Sequence, residues 1–267
     1  LIQYVEDLYP ELLFDMGYIS SPWIIRRLAV FSRMAYRHAN RVITLGSYMS
    51  RKLRWNYGVD DSNIREIPNY ASDVEFSPAE ESDDFTLLYS GNAGLAHDFS
   101  LMEPLFTRLA EIENVSFSFV GGGNNVRAIA DYLSDFPEHR KSFQGYVEKA
   151  RHSQTLSSGN MLIISQRDET VGDILPSKLY SYLAAGRPLL FLGPRKSEIG
   201  ELIITEGIGV IVETNHDVPS AIETIGAYMS DPRSYSELCR RIRRIFDSRY
   251  SHQRAVDQFK SLLSEVL

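Results

Sequence analysis

The chain has 267 residues, 43% hydrophobic and 24% charged, which suits ordinary globular domains and leaves length for two modest ones. Its net charge of −7 argues against general nucleic-acid binding, and its single cysteine, Cys239, excludes an internal disulfide, a usage compatible with a reducing cytoplasm. No apolar run approaches the ~20 residues of a membrane span.

The opening, Leu1 to Asp7, has neither the basic region of a secretory signal nor a starting methionine. It reads as a strand already inside a domain, so the sequence is expected to lack that domain's beginning. Leu1 to Val5 is the strand, ended by Glu6 and Asp7. Ser21 and Pro22 start a helix running to about His38, with Ile24, Ile25, Leu28, Phe31 and Ala35 on its apolar face and Arg26, Arg27, Arg33 and Arg37 elsewhere. Such a helix either packs one face on its own sheet or lies on an anionic membrane, and both readings stand. Arg41 to Leu45 reads as a strand. A helix from Ser47 to about Tyr57 is stopped by Gly58, and Ile64 to Ile67 is a further short strand. The acidic, serine-containing stretch Ala79 to Asp84 is expected to be an exposed linker. The units are then residues 1–78, residues 79–250 and a final amphipathic helix over residues 251–267.

In the second unit, strands are expected at Phe85–Ser90, Val115–Val120, within Arg140–Tyr146, and at Met161–Ile164, Leu189–Leu192 and Ile208–Val212. Helices are expected at Ser100–Glu111, Val126–Leu133, Arg151–Ser158, from Pro176 or Ser177 to Gly186, from Ser197 to about Glu206, and at Val218–Ser230 and Ser234–Ser248. Strands alternating with helices predict a doubly wound parallel sheet. The stretch from Asp173 to Pro188 is its centre. A helix between two buried strands is a right-handed crossover, and the loop before it lies beyond the carboxyl end of a strand, where such sheets bind ligands. Unpaired N–H groups and the positive charge of Lys178 favour an anion there, a phosphate or diphosphate. Gly91 and Gly94 let backbone approach a phosphate closely. Gly121 to Gly123 lacks the third glycine of a dinucleotide fingerprint, since Val126 stands in its place. The six histidines show no ligand spacing, and no nucleophile–base pair can be read off.

Leu-Pro-Ser-Lys-Leu-Tyr, ending at Tyr180, followed by Leu-Ala-Ala-Gly-Arg-Pro, ending at Pro188, resembles the donor-site segment of bacterial retaining glycosyltransferases of family 4. The likeness is to exopolysaccharide and lipopolysaccharide enzymes of the colanic-acid and O-antigen type. Asp7 to Glu11 resembles that family's Asp-Leu-Trp-Pro-Glu segment, and Pro68 to Asp73 its interdomain link. The resemblance implies an α/β fold of GT-B type: a Rossmann-like carboxyl-terminal domain, a partial amino-terminal α/β domain, and a last helix crossing back to the first domain. It implies transfer of a sugar from a UDP- or GDP-linked donor to a lipid-linked or polysaccharide acceptor with retention. Alternatives are a non-catalytic nucleotide-sugar-binding subunit and an epimerase of the same fold. No cofactor, bound metal or nucleic-acid partner is expected. The implied location is cytoplasmic, at the inner face of the membrane, with a peripheral membrane contact.

Carried onto this sequence, the family's site gives Lys178 and Asp173 catalytic roles. Donor binding falls to Gly91, Asn92, Gly94, Tyr146, Pro176, Ser177, Ser181, Arg167 and Arg187. Several positions depart from the family pattern. Asn92 and His97 stand where relatives have an arginine and a lysine, Asp173 and Ser181 where they have two glutamates, and Glu6 or Asp7 where they have a histidine.

Overall fold

The computed structural model describes residues 1–71, 74–77 and 84–266. The linker expected from Ala79 to Asp84 lies, apart from Asp84, outside them. Elements follow the order β1 (Ile2–Tyr4), α1 (Glu11–Asp15), α2 (Pro22–His38), β2 (Arg41–Thr44), α3 (Ser47–Lys52), β3 (Ile64–Glu66), β4 (Phe85–Asn92), α4 (Met102–Leu109), β5 (Val115–Gly122), α5 (Val126–Tyr132) and β6 (Lys141–Gln144). Then come α6 (His152–Ser157), β7 (Met161–Ser165), α7 (Lys178–Ala184), β8 (Leu189–Leu192), α8 (Glu198–Glu206), β9 (Gly209–Val212), α9 (Val218–Ser230), α10 (Pro232–Arg249) and α11 (His252–Val266).

The first sheet is β1-β2-β3, all parallel, with Ile2 opposite Arg41 and Val42 opposite Ile64. The second has six parallel strands in the order β6-β5-β4-β7-β8-β9. That order runs outward in both directions from β4 and β7, so the crossovers lie on opposite faces. Two cores result. One packs α4, α5 and α9 on the sheet through Phe106, Phe117, Ile129 and Ile225. The other packs α7, α8 and α10 through Leu162, Leu183, Ile199 and Ile242. Every residue of β7 and β8 is buried because both faces are covered, which is why these strands read as unbroken apolar runs.

The helix starts and stops follow local chemistry. Gly186 closes α7 at φ +66°, and Gly58 ends the wider helical turn that continues α3 through Leu53–Tyr57. Ser197 caps α8 by accepting the Gly200 N–H at 3.1 Å. One expectation shifts: β4 does not end at Ser90 but runs to Asn92, pairing Gly91 with Gly121 and Asn92 with Gly122. The ladder can extend because no side chain stands between the strands there. A Cβ on Gly121 would lie 2.0 Å from the Gly91 oxygen.

The two units touch along several seams. The Leu8 N–H donates to the Asp173 carbonyl at 2.7 Å, and the Tyr48 hydroxyl donates to Glu201 at 2.6 Å. Helix α11 lies against the first sheet. Leu262 is buried with Ile43 and Ile67, Phe259 meets Tyr4 edge-on at 5.9 Å, and Glu265 pairs with Arg65 at 3.0 Å.

Candidate functional site

The strand order reverses between β4 and β7, so their carboxyl ends diverge and leave a crevice. Helix α7 starts at this end of the sheet. Pro176 is buried at its entrance, Ser177 is exposed, and Lys178 is its first residue. The helix is anchored to β4 by Tyr182, whose hydroxyl accepts the Ser90 N–H and donates to the Ser90 carbonyl, both at 2.9 Å.

That anchoring aims Lys178 back across β4. Its Nζ donates to the Tyr89 hydroxyl at 2.5 Å and to the Asn92 carbonyl at 3.3 Å, and lies 4.3 Å from the centre of the Tyr89 ring. The Lys178 Cε is 3.5 Å from where a Cβ on Gly91 would stand. Among the described residues no carboxylate pairs with this ammonium. Burial alone pushes its pKa down to about 7. The fold therefore holds a desolvated cation, served by neutral oxygens, beside a glycine turn that leaves room for a ligand.

The glycine turns around it are laced together. The Ala93 N–H donates to the Gly122 carbonyl at 2.7 Å, and the Asn125 side chain donates to the Gly94 carbonyl at 2.8 Å. The Asn92 side chain folds over Gly94 and Gly123, close to where a Cβ on either would stand. Tyr146, 68% exposed, lies against Gly122 at the carboxyl end of β5. His97 adds no charge. Its Nδ1 is 2.5 Å from the Ser165 carbonyl, which can only accept, so the proton sits on Nδ1. Burial and the nearby Lys178 charge push its pKa down to about 3.

Other expected site residues are placed differently. Arg167 follows β7 on the same end of the sheet, but the cavity of about 280 Å³ beside it is lined by Asp98, Asp168, Glu169 and Glu213. That acidic rim makes it a poor phosphate site. The Ser181 hydroxyl donates to the Lys178 carbonyl one turn back at 3.0 Å, so it is turned onto its own helix and not toward a ribose.

Arg187 lies away from this crevice. It is 2% exposed and donates to the carbonyls of Gly159 at 2.9 Å, Ser77 at 3.0 Å and Ser157 at 3.1 Å. Ser157 and Gly159 stand just before β7 and Arg187 just before β8, at the amino-terminal end of the sheet. Helix α7 runs back against the strands, so residues past its end lie far from its start. The arginine ties Ser77 to the bottom of the second domain.

Asp173 is fully buried between the two units. Its Oδ1 lies 2.7 Å from Nζ of Lys52, at the end of α3, and neither carboxylate oxygen makes a well-aligned hydrogen bond. Burial, with Asp15 nearby and Lys52 opposing, raises its pKa to about 8. This position is covered by the first unit and does not face an open cleft. Asp7 bridges Ile174 in the same seam, and burial together with Glu6 raises its pKa. The sequence reading missed Lys52 and Tyr89. Tyr89 carried a signal, since it precedes the glycine turn by two residues. Lys52 carried none. Among the described residues no group of three His, Cys, Asp or Glu side chains is arranged to hold a metal ion.

Two parallel α/β units, the second doubly wound with its crevice at the strand reversal, make this a fold of the GT-B glycosyltransferase type. The chain superposes on sucrose-phosphate synthase from Thermosynechococcus elongatus with a TM-score of 0.75 at 16% identity, over 99% of this chain and 67% of that one. Anabaena HepE, solved with UDP, gives 0.75 at 16% identity over 99% of this chain and 72% of that one. S. aureus TarM, solved with UDP and glycan ligands, gives 0.68 at 16% identity over 89% and 46%. In sequence, the chain is 24% identical over 218 residues to a probable glycosyltransferase, WbjE, of Pseudomonas aeruginosa, covering 77% of this chain and 54% of that protein. The chain thus spans about half the length of this relative. No protein-family model matches it.

Proposed function

We propose that this chain carries the donor site of a glycosyltransferase. It would take a sugar from a nucleotide diphosphate donor and pass it to a lipid-linked or polysaccharide acceptor, with retention at the anomeric carbon. The observation that carries this reading is Lys178, a half-buried ammonium without a carboxylate partner among the described residues, aimed at the glycine turn where the strand order reverses. A diphosphate in that crevice would supply the missing counter-charge. As the anomeric C–O bond breaks, negative charge grows on the departing diphosphate, and a preorganised ammonium stabilises it most at that moment. Tyr146, exposed beside Gly122, offers a face for the base. UDP in the HepE and TarM structures supports uracil as the base. The proposed setting is the cytoplasm, at the inner face of the membrane.

The test is calorimetric titration with UDP, GDP and their glucose conjugates. Lys178→Ala should weaken nucleotide affinity by about 1.5–3 kcal/mol, the range for hydrogen bonds to charged groups. Unchanged affinity would remove the diphosphate from this site. A second reading is a nucleotide-sugar-binding chain without turnover of its own. Transfer needs both substrates held in register. Tight UDP-sugar binding without transfer to any acceptor would support that second reading.

A further inference from the structure

The segment between β7 and Lys178 belongs to the second unit, yet much of its fixing comes from the first. Its internal ties are short. The Asp173 N–H donates to the Thr170 carbonyl at 3.1 Å, and the Gln166 side-chain amide donates to the Ile174 carbonyl at 3.0 Å. Across the seam the Leu8 N–H reaches the Asp173 carbonyl at 2.7 Å, Asp7 bridges Ile174, and the Lys52 ammonium lies 2.7 Å from the Asp173 Oδ1. Gly172 permits this approach. It is buried at φ +81°, and a Cβ there would stand 3.0 Å from the Tyr48 carbonyl oxygen and 3.2 Å from the Lys52 Cδ. Any side chain would strain the backbone and push the segment off α3.

The path from Asp173 to Lys178 is short and packed. Asp173 and Pro176 are buried, and Leu175 joins the core that holds α7. The Leu179 N–H closes the first turn of α7 on the Pro176 carbonyl at 3.1 Å. A packed segment passes on a displacement at one end, because its side chains have no free space to absorb it. Tyr182 fixes the body of α7 to β4, so what the segment decides is the first turn, where Lys178 sets out toward Tyr89 and Gly91. The Lys52 side chain is 29% exposed and that of Asp173 fully buried, so the ammonium closes the seam over a carboxyl that makes no well-aligned hydrogen bond. Taking the ammonium away leaves a buried polar group without its cation and favours movement of the segment toward water.

We infer that Lys52 is a positioning residue for the donor site: from the first unit, through Asp173, it holds the first turn of α7 so that Lys178 faces the glycine turn. The inference rests on the reading of this crevice as a diphosphate site. The test is calorimetric titration of UDP into wild type, Lys178→Ala, Lys52→Met, Lys52→Arg, Gly172→Ala and Arg65→Met, with circular dichroism to confirm that each is folded. UDP carries no sugar, so a direct contact of Asp173 with a donor sugar would not register. Lys52→Met should weaken UDP binding about tenfold, the scale of coupling between groups joined through one network, and Lys52→Arg should recover most of the loss. Added to Lys178→Ala, Lys52→Met should weaken binding by less than about twofold more, because the residue it positions is gone. Gly172→Ala keeps every charge but pushes the segment off α3, so it should weaken UDP as Lys52→Met does; it stands in for that variant if the latter fails to fold. Arg65→Met breaks the pair with Glu265 that holds α11 on the first sheet, and should leave UDP affinity at the wild-type level. Unchanged affinity in Lys178→Ala removes the donor reading and this inference with it. Weakened affinity in Lys178→Ala beside wild-type affinity in Lys52→Met overturns this inference alone. So does a full additional loss in the double variant, or an equal loss in Arg65→Met, since either makes Lys52 a general prop of the contact between the units.

Discussion

Removing the Lys178 charge should stabilise the fold while disabling its site. Burial holds this ammonium near pKa 7 where an ordinary lysine has 10.5. At 1.36 kcal/mol per pKa unit, the difference is roughly 5 kcal/mol against the charged form. The unfolded chain keeps the proton up to about pH 10.5, and the folded chain releases it near 7. Between those values the unfolded state binds more protons, so this group makes stability rise with pH by about 1.4 kcal/mol per unit. Below pH 7 both states are charged and the full cost applies. Lys178→Met removes that cost but loses the hydrogen bond to Tyr89, about 1 kcal/mol. Urea denaturation should find the variant more stable than wild type at pH 6, with the advantage shrinking steadily toward pH 10. Binding adds a second readout. At pH 8 about 90% of Lys178 is neutral in the free protein, so restoring the ammonium beside a diphosphate takes up about 0.9 proton. Calorimetry with UDP in two buffers of different ionisation enthalpy measures this uptake, which Lys178→Met should lack. A stability difference that is the same at every pH, or no proton uptake by the wild type, refutes the reasoning.

Arg187→Met should destabilise the fold by about 4 kcal/mol or more, because three carbonyls lose their donor, and leave UDP affinity of the folded protein intact. Lower affinity in a folded variant would return Arg187 to the donor site. Asp173, with a folded pKa near 8 against an ordinary 3.8, makes stability fall as pH rises through that window, and Asp173→Asn should flatten this slope in urea melts from pH 4 to 8. Lys52→Met should push the Asp173 pKa above 8, so that its cost in urea melts grows as pH rises past 8, and Asp173→Asn should remove that growth; a double variant no better than Lys52→Met alone would deny the coupling. Tyr146→Ala should weaken UDP by about 1–3 kcal/mol while Tyr146→Phe does not, and equal affinities by titration would rule out stacking.

The sequence by itself determined most elements of the second domain. Met161 to Ile164 and Leu189 to Leu192 are apolar throughout because both faces of a central parallel strand are covered. Gly186 ends its helix because a left-handed residue there costs glycine nothing. The place of Lys178 at the carboxyl end of the strands followed from the same local rules, since a loop after a parallel strand has only one end of the sheet to occupy. Arg187 lies away from the crevice, and its position was legible: it stands two residues before a strand begins, at the amino-terminal end of the sheet. What only the tertiary structure decided is which distant groups share one environment. Lys52 covers Asp173, Tyr89 receives Lys178, and His97 is neutral. These depend on burial and on charges brought close by strand order and domain contact. A one-dimensional pattern records the period of a residue's own element, not the dielectric or the partner it meets when that element is packed.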